Sequence, residues 1–179
     1  MSEPAAPAVP TARLHLVALP LPVLEALLVR DLTGAAELIE FPLPAGWPDA
    51  RDDFVLGLRR DQLRADPTEL PWLLRAMVRR QPVPAMVGRI GFHAPPDRNG
   101  MVEIGYTVLA AYRRQGYARE AVTALLGWAA AQPGVRRLRA SVGPDNTASR
   151  ALLGSLGFVQ IGTQWDDRDG EELVLERPP

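Results

Sequence analysis

Alternating apolar and polar positions predict seven β-strands in this chain, separated by turns rich in proline and glycine. The strands lie at 12–19, 71–79, 85–93, 101–109, 135–142, 158–164 and 171–176. Apolar residues at helical spacing, together with capping residues, predict helices at 23–29, 35–40, 49–65, 117–131 and 146–156. An antiparallel meander that continues as strand–helix–strand–helix–strand predicts an α/β or α+β fold with a mixed sheet.

The length of the chain fits a single domain. With 179 residues it can bury a substantial core but is short for two domains. Residues 1–10 are rich in alanine and proline, without a basic start or an apolar segment. We therefore expect a disordered tail rather than a signal peptide, followed by one domain at 11–179. No apolar run approaches the ~18 residues that a membrane span needs, so we expect a cytoplasmic protein without a membrane partner.

The composition excludes several kinds of chemistry. The chain has no cysteine, which excludes disulfides, thiolate metal ligands and a cysteine acyl-enzyme. The Lys+Arg total of 20 is all arginine, so a P-loop lysine and a Schiff-base lysine are excluded as well. No group of His, Asp and Glu has metal-ligand spacing, and we expect no metal. The net charge of −1, with the two signs interspersed, indicates no nucleic-acid partner.

A phosphate-binding junction is predicted where the strand at 101–109 meets the helix at 117–131. The connecting segment reads Arg113-Arg114-Gln115-Gly116-Tyr117-Ala118. A helix start offers free backbone N–H groups and the positive end of the helix dipole, and both favour a phosphate. Arginine side chains add charge-assisted hydrogen bonds to anionic oxygens. We interpret the segment as a pyrophosphate site; the alternative is a solvated loop with a turn glycine.

Two motifs in the second half of the chain resemble those of the GNAT family of N-acetyltransferases. The family pattern Arg/Gln-x-x-Gly-x-Gly/Ala is met by Arg113, Gly116 and Ala118. The segment from Asp145 to Leu153, followed by Leu156-Gly157-Phe158, resembles the family's second motif. The resemblance covers about 101–164 and is greatest to the branch of ribosomal-protein acetyltransferases. It implies a single acetyltransferase domain with a mixed, mostly antiparallel sheet of about seven strands flanked by helices.

The resemblance also implies a set of residues that bind acetyl-CoA as co-substrate. Backbone groups near Val108 would pair with the pantetheine arm, and Asn146 would contact it directly or through water. Ser149 would lie near the sulfur. The pyrophosphate would be held by Arg113, Arg114, Gln115, Gly116, Tyr117 and Ala118.

Two catalytic residues follow from the same resemblance. Glu103 would take the proton of the amine, with His93 as the backup base. Many family members carry a tyrosine that protonates the departing thiolate, but here Leu153 occupies that position and Ser149 would assist the thiolate instead. The alternatives are a Glu103 carboxylate paired with an arginine, a Ser149 bonded to its own helical turn, and a His93 that is a strand-end surface residue.

The predicted function is an N-acetyltransferase that moves an acetyl group from acetyl-CoA to a primary amine by direct attack. The acceptor is left open between a small-molecule amine and a protein N-terminus. A CoA-binding sensor or interaction module without transferase activity is the alternative, and transfer of a longer acyl chain is a third interpretation. Exposed strands permit a homodimer without requiring one.

Overall fold

The computed structural model describes residues 6–179, which form eight strands and five α-helices. The helices are α1 (Leu21–Leu28), α2 (Leu32–Ile39), α3 (Ala50–Ala65), α4 (Tyr117–Ala130) and α5 (Thr147–Ser155). The strands are β1 (Val9–Pro10), β2 (Leu14–Ala18), β3 (Arg75–Arg79), β4 (Ala85–Phe92), β5 (Met101–Val108), β6 (Arg137–Val142), β7 (Val159–Asp166) and β8 (Gly170–Arg177).

All eight strands belong to one mixed sheet in the order β1-β2-β3-β4-β5-β6-β8-β7. Every neighbouring pair is antiparallel except β5 and β6, which are parallel. The sequence predicted about seven strands, and the additional one is β1, where Val9 pairs with Leu16 and Pro10 with His15. These residues fall within the predicted tail, so the tail prediction does not hold at 9–10. Residues 1–5 lie outside the described residues.

Helices cover both faces of the first part of the sheet. One face packs against α4, whose buried side chains include Ala121, Val122 and Leu125. The other face packs against α1, α2 and α3 and forms a second core that includes Leu24 and Leu56. Successive residues of a strand point to opposite faces. In β3, Met77 therefore joins the first core while Ala76 and Val78 join the second.

Local capping explains where two of the helices begin. At α3, the Asp49 side chain accepts from the backbone N–H of Asp52, and the Asp52 side chain accepts from that of Asp49, which is a capping box. At α5, the side chain of Asn146 accepts from the backbone N–H of Ser149 at 3.1 Å. These caps satisfy backbone N–H groups that have no partner within the helix.

The strands β5 and β6 pair only at their N-terminal ends. Met101, Val102 and Glu103 are in register with Arg137, Leu138 and Arg139, respectively. Beyond Glu103 the two strands separate, and a cavity lies between residues 104–106 and 140–142. Residues 104–106 of β5 are therefore not paired with β6.

Among residues 6–179, no helix combines the length and the apolar character needed to cross a membrane.

Candidate active site

The gap between β5 and β6 opens into a cavity of about 480 Å³. Its walls come from the separated strands, from the start of α5 and from the β7–β8 hairpin. Four carboxylate residues are among those that line it, and none of the lining residues is an arginine or a histidine. The carboxylates are those of Asp145, Asp169, Glu171 and Glu172.

A second cavity, of about 640 Å³, lies along the end of β5 and the starts of α4 and α5. It shares Tyr106, Asn146 and Ser149 with the first, so the two cavities meet at these residues. The second cavity contains eight of the nine cofactor-binding residues predicted from the sequence: Val108, Arg113, Arg114, Gly116, Tyr117, Ala118, Asn146 and Ser149. The ninth, Gln115, is not among the lining residues. Its amide donates to the carbonyl of Ala111 at 3.3 Å.

The loop before α4 has the backbone geometry of an anion site. Arg114 and Gly116 both adopt positive φ angles, 60° and 82°. Gly116 is the N-cap of α4, and no side chain caps this helix. The N–H groups of the first turn are therefore available to a ligand, at the positive end of the helix dipole. Together with the side chains of Arg113 and Arg114, they can hold a pyrophosphate.

Arg13, which the sequence analysis did not single out, contacts this loop from the N-terminal part of the chain. The guanidinium of Arg13 donates to the carbonyl of Gln115 at 3.0 Å and forms an ion pair with Glu120 at 2.7 Å. It also lies over the ring of Tyr117, 4.6 Å from the centroid. No sequence signal links Arg13 to residues about a hundred positions away, so only the fold reveals this contact.

The predicted pantetheine contacts lie next to this loop. The carbonyl of Val108 accepts from Arg113 Nε at 3.0 Å and keeps a second lone pair for a further donor. Asn146 uses its side-chain oxygen to cap α5, which leaves its NH₂ group as the donor for a ligand.

Ser149 and Tyr106 meet where the two cavities join. The Tyr106 oxygen is buried, and among the described residues it has no partner in hydrogen-bonding geometry. Burial raises the pKa of the Tyr106 phenol, and the Ser149 hydroxyl lies nearby without completing a hydrogen bond to it. Leu153 is 1% exposed and belongs to the core below α4. Tyr106 is thus a phenol close to Ser149. Because Val102, Ile104 and Tyr106 are alternate residues of β5, the sequence pattern could have indicated that Tyr106 lies on the same face of the sheet as the other two.

Glu103 lies on the opposite face of the sheet from Ser149. Its side chain is 14% exposed, and its Oε1 accepts from the hydroxyl of Ser141 at 2.6 Å. His93 Nδ1 is 3.8 Å from the same oxygen. Within the described part of the chain, residues 6–179, no arginine pairs with Glu103. The neighbouring Arg139 instead binds Glu176 at 2.6 Å.

His93 faces both Glu103 and α3. Its pKa is lowered by burial and by the charge of Arg59, while Glu103 opposes the shift. The side chain is still 52% exposed, so it retains contact with water. The imidazole of His93 lies against Gly105, which has no side chain. A Cβ added at Gly105 would lie only 3.0 Å from His93 Nε2.

A family model described as the acetyltransferase (GNAT) domain matches residues 13–159. The chain belongs to the GNAT family. The match includes both motifs, the gap between β5 and β6, and the helices α1 to α3. The loop predicted to bind the donor, at 113–118, and Glu103 both fall within the matched residues.

Relatives and solved structures agree with this membership. The chain is 42% identical over 74 residues to the uncharacterized N-acetyltransferase YjdG of Bacillus subtilis, covering 41% of this chain and 44% of YjdG. The chain spans about half the length of the curated relatives it matches.

Two solved structures show the same GNAT fold. Mycobacterium smegmatis RimJ in complex with a CoA disulfide aligns with a TM-score of 0.66 at 20% identity, covering 97% of this chain and 88% of RimJ. The ribosomal L7/L12 alpha-N-protein acetyltransferase RimL in complex with coenzyme A has a TM-score of 0.64 at 19% identity, with 96% and 97% covered.

Within residues 6–179 of this GNAT domain, no group of three or more His, Cys, Asp or Glu side chains is arranged to hold a metal ion.

Proposed function

We propose that this GNAT domain transfers an acetyl group from acetyl-CoA to a primary amine by direct attack. One observation carries the proposal. The loop at 113–118 lines one cavity, which meets a second cavity in the gap between β5 and β6 at Tyr106, Asn146 and Ser149. Glu103 lies on β5 immediately before this gap and is hydrogen-bonded to Ser141, which lines it. We infer that an amine approaches a thioester in the gap from the side of Glu103.

The donor binds in the cavity along α4 and α5. The pyrophosphate is held by Arg113 and Arg114 together with the backbone of 115–118, which includes Gln115, Gly116, Tyr117 and Ala118. The pantetheine arm pairs with the backbone of Val108 and with the NH₂ group of Asn146. The relatives RimJ and RimL, whose structures contain coenzyme A or its disulfide, support this choice of donor.

The reaction then proceeds without a covalent enzyme intermediate. Glu103 removes one proton from the ammonium group, and the free amine attacks the thioester carbonyl. The C–N bond forms, the C–S bond breaks, and the second proton lost by the nitrogen neutralises the departing thiolate. The hydroxyl of Ser149 donates a hydrogen bond to the sulfur during this step. Holding donor and acceptor in one gap supplies much of the rate acceleration.

The acceptor is an amine that arrives as a cation. The four carboxylate residues lining the gap attract an ammonium group electrostatically, and the lining contains no arginine to repel it. A small-molecule amine and a protein N-terminus both satisfy this requirement. RimL, an alpha-N-protein acetyltransferase, supports the second choice.

Release of coenzyme A thiol in the presence of an amine panel tests the proposal. The panel contains diamines, monoamines and peptides with free N-termini, and mass spectrometry identifies the acetylated product. We expect thiol release that depends on the acceptor and falls in Glu103→Gln, while that variant still binds acetyl-CoA. Stabilisation by acetyl-CoA with no thiol release for any amine would instead indicate a binding module.

A further inference from the structure

A chain of hydrogen bonds leads from Glu103 across the gap to the last two strands of the sheet. The Ser141 hydroxyl on β6 donates to Glu103 Oε1 at 2.6 Å, and Gln164 Nε2 on β7 donates to the Ser141 oxygen at 3.1 Å. The same Gln164 nitrogen donates to Glu172 Oε2 on β8 at 2.9 Å. Four side chains from four strands are therefore joined at the point where β5 and β6 separate.

The direction of these hydrogen bonds is set by the chemistry of the groups. An amide NH₂ only donates and an ionised carboxylate only accepts. Because Gln164 supplies a hydrogen to the Ser141 oxygen, the hydrogen of that hydroxyl is directed to Glu103. Glu172 in turn holds the amide of Gln164, so the amide NH₂ rather than its oxygen faces Ser141.

Strand register keeps the participating side chains on one face. Gln164 is directly opposite Glu172 in the β7–β8 pair. On β6, the neighbours of Ser141 are Ala140 and Val142, which are buried in the core below α4. Since alternate residues point to opposite faces, Ser141 points away from α4, as Glu103 does.

We propose that Ser141 and Gln164 are positioning residues that hold the Glu103 carboxylate for proton abstraction. This inference rests on the proposed function of Glu103 as the base. Ser141 occupies one carboxylate oxygen, Oε1, and leaves the other to receive the proton of the amine. Gln164 acts through Ser141 by fixing the orientation of its hydroxyl.

Among residues 6–179, no arginine forms an ion pair with the Glu103 carboxylate. Arg139 on β6 is paired with Glu176 on β8, and Arg59 on α3 donates to the backbone carbonyl of His93 at 2.8 Å. His93 on β4 is 3.8 Å away. A neutral hydroxyl orients a carboxylate while leaving it able to take a proton, whereas an arginine pair would hold it ionised.

We expect removal of the Ser141 hydroxyl to change the kinetics in a specific way. In Ser141→Ala, we expect kcat to fall about tenfold, the usual scale for a hydrogen bond to a charged group. The KM for acetyl-CoA stays unchanged, which separates a loss of positioning from a loss of cofactor binding. Ser141→Thr keeps the hydroxyl and restores kcat.

A second pair of variants tests the role of Gln164. Gln164→Met keeps the length of the side chain but removes the donor, and it lowers kcat by a smaller factor than Ser141→Ala does. Thr163→Ala is the matched control, since Thr163 is adjacent on β7 and points to the opposite face. This control leaves kcat unchanged.

The deciding experiment measures kcat and the KM for acetyl-CoA in Ser141→Ala, in Glu103→Gln and in the double variant, with thermal unfolding as a check on folding. If Ser141 acts through Glu103, Ser141→Ala has little further effect once Glu103 is replaced. An equal fall of kcat in both backgrounds, or a rise in the KM for acetyl-CoA in place of a fall in kcat, overturns the positioning role. An undiminished rate in Glu103→Gln alone overturns the base assignment as well, and the absence of thiol release from the wild type overturns the proposed function.

Discussion

Replacement of Gly116 by alanine tests the loop that we assign to the pyrophosphate without altering the rest of the site. Gly116 has a φ of 82° and begins α4, and an added Cβ would lie 3.3 Å from Nη2 of Arg13. The left-handed conformation costs an L-residue about 1–2 kcal/mol. The Arg13 side chain is 48% exposed and can move aside, so steric contact adds little to this cost.

The consequence for stability and binding can be measured in one set of experiments. A loss of about 1–2 kcal/mol lowers the Tm of a domain of this size by roughly 2–8 °C. The strained loop also moves the N–H groups of the first turn of α4, and we expect acetyl-CoA to bind about tenfold more weakly by calorimetry, equal to about 1.4 kcal/mol.

Gly127→Ala in the same helix is the matched control. Gly127 has open space around its Cβ position and no positive φ. Alanine is favoured over glycine within a helix by about 1 kcal/mol, so this variant raises the Tm and leaves acetyl-CoA binding unchanged. Wild-type affinity in Gly116→Ala, measured beside this control, would refute the assignment of the loop to the cofactor.

Three further variants test other parts of the account. Arg113→Ala weakens acetyl-CoA binding and reduces its dependence on salt in calorimetric titrations, because one cation at the pyrophosphate is lost; an unchanged salt dependence would argue against that contact. Tyr106→Phe removes a buried hydroxyl without a partner among the described residues, so urea unfolding should show no loss of stability beyond about 0.5 kcal/mol; a larger loss would reveal a hydrogen bond. The lowered pKa of His93 means that the unfolded chain binds more protons near pH 6, so stability rises with pH through that range. His93→Asn should flatten the Tm–pH curve between about pH 5 and 7, and a curve that keeps its slope would contradict this.

Much of the fold could be predicted because its patterns are local. The strand that carries Glu103 and the helix that follows Gly116 were predicted to within a residue or two of Met101–Val108 and Tyr117–Ala130. The strand predicted at 71–79 begins only at Arg75, since the apolar residues before it form turns rather than sheet. The strand at Val9–Pro10 has only two residues and depends on pairing with β2, which local pattern does not encode.

The donor side of the candidate site could be predicted for the same reason, because the loop at 113–118 is a contiguous motif. The residues that surround it were missed because distant parts of the chain supply them. Arg13 contacts Glu120 across 107 positions, and Ser141 reaches Glu103 across 38. Neither pair has a spacing that a motif would reveal. The separation of β5 and β6 is likewise a property of the sheet rather than of either strand.

A crystal structure with acetyl-CoA bound tests most directly the claim that the gap between β5 and β6 is the site of transfer. We predict the pyrophosphate on the loop at 113–118, the sulfur beside Ser149, and the thioester carbonyl in the gap, open to Glu103 on the opposite face. A cofactor whose thioester lies outside this gap, or on the side away from Glu103, would contradict the account.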